Sequence, residues 1–448
     1  MKIKIPQKVN MIMDALAEKG YGSFIVGGCV RDSLLGIVPK DWDICTGATP
    51  EEMKECFAAA GFGVAETGVK HGTLTAILNH EPFEVTTYRT EGGYSDFRRP
   101  DSVEFCTGIE EDLVRRDFTI NAMAYSEDRS LVDICGGRED LERGVLRCVG
   151  DPEKRFREDA LRIMRCVRFS SQLGFTVAPR TREAMDKISP LLAKIAVERV
   201  REEFVRTLCG KAAGEALRRC SSVIEQFIPE IGDAVGCNQQ NDYHIYDVWE
   251  HIIHVVENIP DDPVLRLAAF FHDIGKPKCK TVTDEGWGHF YRHEQTGADM
   301  TRDIMNRMKF DNNTKSRVVK LVDRHGIVFN PAGRQPRRLL VKLGPETLKQ
   351  LIELERADVK SQAPMCIDER LENIKAFEAA VNTAIEEEAC FSVKDLAVDG
   401  RDLIRAGVPR GKEIGAILAK LLEDVTEGRL ENSREALIGA VNNYHSIF

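Results

Sequence analysis

Between Ser23 and Cys45 the chain passes from a short apolar run, Ser23 to Val26, through a glycine pair, Gly27-Gly28, to two acids one residue apart, Asp41 and Asp43. An apolar run stopped by glycine predicts a strand, and Cys29 to Leu35 predicts a short helix behind it. In an extended chain residues i and i+2 share a face, so Asp41 and Asp43 project side by side. Carboxylates held together repel unless a cation offsets them, and Mg²⁺ held by one or two carboxylates plus substrate phosphates is a common arrangement. The glycines let backbone N–H groups approach an anion closely. A phosphate cradle beside a paired metal site points to nucleotidyl transfer. The D-x-D taken by itself more often describes two solvated acids beside a turn, and the glycine pair reverses that preference.

Glu84 lies in Phe83-Glu-Val-Thr-Thr-Tyr-Arg89, a strand-like run rich in β-branched and aromatic residues. It follows another strand candidate, Thr73 to Leu78, across a short Asn79-His-Glu-Pro82 connection. A hairpin that brings Glu84 beside Asp41 and Asp43 supplies a third carboxylate, to ligate a metal or to polarise an attacking hydroxyl. An exposed strand residue is the competing reading. Further on, Arg115-Arg-Asp-Phe-Thr-Ile-Asn121 sets a basic pair, an acid and an amide close together. Arg116 suits phosphate oxygens, and Asp117 and Asn121 suit hydroxyls. The same residue types also mark an ordinary helix boundary.

In this order the segments resemble the motifs of class II tRNA nucleotidyltransferases, the family of CCA-adding enzymes and bacterial poly(A) polymerases. Gly27-Gly28…Arg31-Asp32…Asp41-x-Asp43 resembles the first motif and Arg115-Arg116-Asp117…Asn121-Ala122 the second. Asp133 to Leu141, with its paired glycines, resembles the third; Arg157-Glu-Asp-Ala-Leu-Arg162 the fourth; Glu198 to Phe204 the fifth. The resemblance implies an α+β protein. An N-terminal α/β head with a small mixed or antiparallel sheet would be followed by an all-α neck, body and tail. It implies Asp41 and Asp43 as Mg²⁺ ligands, with Glu84 beside them. It also implies nucleotide binding by Gly27, Gly28, Arg31, Arg116, Asp117, Asn121, Glu158, Asp159, Arg162 and Arg165. The partners implied are tRNA, CTP and ATP.

The fourth motif is also readable from its residues. Phe156, Ala160, Ile163 and Val167 recur at helical spacing, which predicts a helix over 155–169. Asp159 and Arg162, three apart, then share a face and set an acceptor beside a fork of donors. Cytosine and adenine both present an exocyclic amino donor next to a ring-nitrogen acceptor, whereas guanine and uracil present the opposite order. One Asp–Arg pair therefore accepts the first two bases and leaves buried groups unpaired with the others. Glu158 would hold the arginine fork in place. The resemblance implies that these residues act as a protein template for CTP and ATP. An intrahelical ion pair is the plainer alternative.

At 448 residues the chain has room for several domains, and it carries no apolar run long enough to cross a bilayer. Residues Met1 to Gly20 read as a short strand and an amphipathic helix (Val9, Ile12, Met13, Leu16) rather than a signal peptide. Thirteen cysteines without a C-x-x-C pair point to reduced thiols in a cytoplasm. A net charge of −10 argues against indiscriminate nucleic-acid binding, yet residues 151–211 hold 14 Lys/Arg against 9 Asp/Glu. A local positive stripe suits RNA phosphates and also fits ordinary helix-surface charge. Thr49-Pro-Glu-Glu52 reads as a capping box opening a helix that Gly61 ends. Glu91 through Asp101 reads as a long polar loop, whose presence in the family favours complete CCA or A addition. The expected domains are 1–148, a catalytic head; 149–240, a helical neck and body; 241–365, a helical metal-binding domain; and 366–448, a helical tail. No obligate protein partner is evident.

The 241–365 stretch carries His251, His272-Asp273, His293, His325 and Asp358, an order that resembles the HD phosphohydrolase superfamily. That resemblance implies a helical bundle whose imidazoles and carboxylates hold one or two ions, Mg²⁺ or a transition metal such as Mn, Ni, Co or Zn. Such a site can hydrolyse a phosphomonoester or a 2′,3′-cyclic phosphate; a degenerate, structural site is the alternative. In the tail, Arg401, Arg410 and Lys412 are candidate RNA phosphate contacts by resemblance, or solvated helix-cap charges. Four functions follow: CCA addition to tRNA, adenosine or poly(A) addition on the same fold, a metal phosphohydrolase with the head as accessory, and a non-enzymatic RNA-binding protein.

Overall fold

The computed structural model describes residues 2–92, 102–386 and 393–445. They form two compact units, Met1–Pro229 and Glu230–Phe448. In the first, Gln7–Ala17 (α1) buries Val9, Ile12, Ala15 and Leu16 at helical spacing. The strand expected before α1 does not form. Ile3 and Ile5 are buried, but Pro6, which has no N–H to donate, leads directly into the helix.

The head then alternates: Ser23–Val26 (β1), Gly28–Leu34 (α2), Ile44–Thr46 (β2), Pro50–Ala59 (α3), Gly63–Gly68 (β3), Thr73–Leu78 (β4) and Glu81–Thr87 (β5). Arg89–Gly92 (β6) and Ser102–Phe105 (β7) make a separate ribbon; Ile109–Val114 (α4), Ala124–Ser126 (β8) and Ser130–Val132 (β9) complete the layer. The seven-stranded sheet runs β3-β4-β5-β2-β1-β8-β9 and is mixed, β2 and β5 being parallel. Ile12, Leu16, Ile25, Ile44, Met53 and Phe57 are fully buried between the sheet and helices α1 and α3. Each contributes roughly 1.5–3 kcal/mol by leaving water. The α3 capping box forms as expected, with Glu52 Oε2 accepting from the Thr49 N–H at 2.8 Å. The β4–β5 hairpin also forms, but its turn is only Asn79-His80, both at positive φ, so Glu81 and Pro82 join β5. Past Gly92, the polar loop expected up to Asp101 lies outside the described residues.

Helices Gly137–Arg143 (α5), Pro152–Glu158 (α6), Leu161–Leu173 (α7), Pro179–Ile188 (α8), Val197–Leu208 (α9) and Ala213–Glu225 (α10) follow. The single helix expected over 155–169 is broken. Asp159 is extended (φ −139, ψ 102) and its carboxylate accepts from the Leu161 N–H at 3.0 Å, so it caps α7 instead of continuing α6. The α+β class, with a mixed-sheet head followed by helices, is as expected.

The second unit is helical. Val248–Asn258 (α11), Pro263–Phe271 (α12), Lys276–Cys279 (α13), His293–Arg307 (α14), Asn312–Arg324 (α15), Gln335–Leu343 (α16) and Pro345–Lys360 (α17) come first. Helix α12 is buried from Val264 to Phe271 and packs against α11, α15 and α17. Ile367–Glu386 (α18), Gly400–Arg405 (α19), Lys412–Thr426 (α20) and Arg434–His445 (α21) follow; α19 to α21 close over their own core of Leu403, Ile417, Leu421 and Leu437.

Candidate functional site

Strand register places the carboxylates. β2 pairs with β1 through Ile25 and Ile44 and with β5 through Ile44 and Val85. Asp43 and Glu84, each one residue before a paired position on parallel strands, therefore leave the sheet at one level. The Asp43 carbonyl accepts from the Val26 N–H at 3.0 Å, and Gly27 follows directly, so glycines and acids share the same sheet end. Asp41 and Asp43 line a cleft of about 900 Å³ with Gly27, Gly28 and Arg31. Although Asp43 is open to the cleft, its walls desolvate the carboxylate and raise its pKa; Arg116 opposes this, while Glu84 and Asp41 add to it.

Gly27 adopts φ +73, and a Cβ there would stand 2.9 Å from Arg116 Nη1. Glycine at this position is what lets the guanidinium reach the cleft floor. Arg116 is held by Asp112, which is fully buried and accepts from Arg116 at 3.0 Å and from Arg115 at 2.6 Å. Burial alone would raise the Asp112 pKa; Arg116 and Arg115 pull it below the usual carboxylate range. Asp117 and Asn121, expected to bind hydroxyls, line the cleft and also hold its arginines in place. Arg31 Nη1 donates to Asn121 Oδ1 at 2.7 Å, Asn121 Nδ2 donates to Asp117 Oδ1 at 3.3 Å, and Arg165 pairs with Asp117 at 2.6 Å. Burial opposes the Asp117 charge, but Arg165 outweighs it and holds the pKa to about 2.

Asp159, Arg162 and Arg165 line the same cleft. Glu158 accepts from Arg162 Nη1 and from Arg155 Nη1, each at 2.8 Å, which fixes the fork. Asp159 and Arg162 still face one cavity although a helix break, not a helical face, brings them there. Burial raises the Asp159 pKa against the pull of Arg199. Sequence reasoning missed Asp112; its signal was the spacing of three and four residues to Arg115 and Arg116 on α4. It also missed Phe169, which lines the cleft beneath the Arg168 guanidinium at 4.1 Å from the ring centre.

In the second unit six separated side chains meet. His251 Nε2 lies 2.9 Å from Asp358 Oδ1 and 3.4 Å from Asp273 Oδ2, with His272 Nε2 3.3 Å from the same Asp273 oxygen. On the other side, His293 and His325 present Nε2 at 3.3 and 3.5 Å from Asp273 Oδ1. The Nδ1 atoms of His272, His293 and His325 face the carbonyls of Ala269, Phe290 and Val322 at 2.7, 2.8 and 2.5 Å. That contact places the proton on Nδ1 and turns the Nε2 lone pairs toward the centre. Two trios, His251-His272-Asp273 and Asp273-His293-His325, each have ligand atoms close enough for one ion. Asp273 is common to both.

His272 and Asp273 stand in the turn after α12 rather than within the helix. Gly275 permits this turn, since a Cβ there would lie 2.5 Å from the His293 carbonyl on α14. Lys276, absent from the sequence-level candidates though only three residues beyond Asp273, places Nζ 2.7 Å from Asp273 Oδ2. In the tail, Arg401, Arg410 and Lys412 are exposed and make no ion pair among the described residues.

Residues 23–147 match the poly A polymerase head domain, 174–233 a probable RNA and SrmB-binding site of polymerase A, and 281–441 a putative tRNA nucleotidyltransferase domain 2. The CCA-adding enzyme of Lactobacillus delbrueckii subsp. bulgaricus is 34% identical over 95% of each chain. That of Lactobacillus helveticus is 35% identical over 96% of this chain and 95% of its own. The crystal structure of the Bacillus stearothermophilus CCA-adding enzyme in complex with CTP superimposes with a TM-score of 0.76 at 28% identity, covering 99% of this chain and 98% of that one. With this identity sustained from end to end, the chain belongs to the family of CCA-adding enzymes.

Proposed function

We propose that the protein completes the 3′ end of tRNA with CCA, using CTP and ATP and no template strand. The observation that carries the reading is the convergence of Asp41, Asp43 and Glu84 at one sheet end, opposite the glycine pair and an arginine-lined cleft. The glycines and Arg116 receive the triphosphate, while Asp159 and the Glu158-held Arg162 read the pairing edge of cytosine or adenine. The tRNA 3′-hydroxyl attacks the α-phosphate, the new P–O bond forms as the bond to the β-phosphate breaks, and pyrophosphate leaves. Glu84, exposed beside Asp43 and Asp41, would take the hydroxyl proton.

Asp41, Asp43 and Glu84 offer only oxygen donors, and among the described residues no basic side chain forms an ion pair with them, a donor set that fits Mg²⁺. Such an ion supplies charge neutralisation at the reacting phosphates. Arg401, Arg410 and Lys412 are assigned to tRNA phosphates, and the cytoplasm is the assigned compartment. Among the described residues no helix is long and apolar enough to cross a membrane.

The deciding experiment gives purified protein a tRNA lacking its 3′ end with CTP alone, ATP alone and both. Product length separates CCA addition from A addition and from homopolymer synthesis. Asp41→Ala or Asp43→Ala abolishes both CMP and AMP addition while tRNA binding persists; normal turnover in either variant refutes the assignment.

The histidine centre supports a second activity, hydrolysis of a phosphomonoester or a 2′,3′-cyclic phosphate. Four imidazole Nε2 atoms aim at the two oxygens of the buried Asp273, a nitrogen and carboxylate donor set that fits a metal ion. The six side chains would hold Mg²⁺ or a transition metal such as Mn, Ni, Co or Zn, which activates water. Phosphate release that survives Asp41→Ala but not Asp273→Ala separates the two sites.

A further inference from the structure

A second cavity, of about 760 Å³, adjoins the same carboxylates. Asp41 and Asp43 line both cavities. Gly27, Gly28 and the arginines line only the first, whereas Lys40, Trp42, Phe83 and Glu84 line only the second. The chemistry of the two walls differs accordingly. The first is crowded with guanidinium groups and suits a triphosphate. The second has two half-buried aromatic side chains, Trp42 and Phe83, flanked by two lysines. Lys8 is paired with Glu81 at 2.7 Å, while Lys40 is exposed and has no ion-pair partner among the described residues.

We infer that this second cavity seats the 3′-terminal nucleoside of the RNA acceptor, its base against Trp42 and Phe83 and its 5′-phosphate on Lys40. The inference rests on the nucleotidyl-transfer reading above. In-line displacement requires the attacking oxygen and the departing pyrophosphate on opposite sides of the α-phosphate. With the triphosphate in the arginine-lined cleft, the attacking hydroxyl arrives from outside that cleft, and this cavity adjoins the same Asp41 and Asp43. Its volume suits one nucleoside rather than a duplex end. Aromatic faces accept any base, as an acceptor end that changes with each addition demands. A single unpaired lysine matches the one phosphate such a residue carries.

Glu84 then belongs to the acceptor side. It lies next to Phe83 on β5 and opposite Thr75 on β4, at the level of Asp43 across the sheet. Glu84 lines this cavity and the glycines do not, so a hydroxyl delivered through it meets Glu84 first. This accounts for three carboxylates of which only two face the nucleotide cleft.

The test uses the full-length protein and tRNA ending in CC, with AMP addition as readout. Trp42→Ala raises the KM for this tRNA by about tenfold and leaves the KM for ATP unchanged; Trp42→Phe restores it. Lys40→Ala raises the same KM more weakly, and added salt erases the difference. An unchanged KM for tRNA in Trp42→Ala, or an equal rise in the KM for ATP, overturns the inference. A direct reading is independent of turnover. In a Trp249→Phe, Trp287→Phe background Trp42 is the remaining tryptophan, and a short oligoribonucleotide ending in CC quenches its emission. If the wild-type protein adds no nucleotide, the transfer reading fails, and the quench still decides whether the cavity takes an RNA end. Absence of quenching at saturating oligonucleotide rejects the site.

Discussion

Asp112→Asn separates the cleft's electrostatic support from its chemistry. Asp112 is 0% exposed and serves Arg115 and Arg116, whose side chains remain 16% and 18% exposed. Breaking a buried ion pair by removing one partner costs about 3–5 kcal/mol. Here the orphaned guanidiniums still reach water, which places the loss near the lower bound, about 3 kcal/mol. With a urea dependence near the top of the usual range, about 3 kcal/mol per molar, the unfolding midpoint drops by about 1 M.

The pH dependence has a definite sign. The folded-state pKa of Asp112 lies below its ordinary value, so its contribution is complete above the carboxylate range and fades as pH falls through the folded value. The gap between wild type and variant therefore stays constant from about pH 8 to pH 5 and narrows only in acid. In transfer assays the KM rises for CTP and ATP alike, about tenfold, because the proposed role of Arg116 is toward phosphate and not base. Glu111→Gln, an exposed neighbour on α4, serves as control and changes neither quantity. Wild-type urea stability in Asp112→Asn, or a KM change confined to one nucleotide, refutes this account.

Gly27→Ala puts a Cβ 2.9 Å from Arg116 Nη1 on a backbone at φ +73; nucleotide transfer falls at least about tenfold while circular dichroism is unchanged, a cost of at least about 1.4 kcal/mol in the transition state. Arg162→Ala slows transfer and also relaxes base choice, and undiminished discrimination against UTP and GTP in a misincorporation assay removes its template role. In an Asp41→Ala, Asp43→Ala background, Mn²⁺ titrated calorimetrically into metal-stripped protein binds with two equivalents; His325→Asn loses one and Asp273→Asn loses both, since the two oxygens of Asp273 face separate trios. A loss of only one equivalent in Asp273→Asn means that the two sites do not share it.

Much of the local structure was legible in order along the chain. The glycine pair closing β1, the capping box of α3 and the apolar run of α12 each carry their cause within a few residues, so local rules find them. The failures are equally local. Asp159 was read into a helix because its apolar neighbours keep helical spacing, but a short acid that caps the next helix competes with that continuation and wins. The short strand expected before α1 finds no partner among the described residues, and Pro6 leads straight into the helix.

What the sequence determined by itself was the inventory: which groups can bind phosphate, which can bind metal, and in what order they occur. Tertiary structure decided which of them meet. The parallel pairing of β2 with β5 brings Glu84 level with Asp43 across 41 residues of chain. Buried contacts tie Asp117 and Asn121, which also line the cleft, to Arg165 and Arg31. The reason is that hydrogen bonding and desolvation depend on distances of a few ångströms between residues far apart in sequence, and strand register and helix packing alone set those distances.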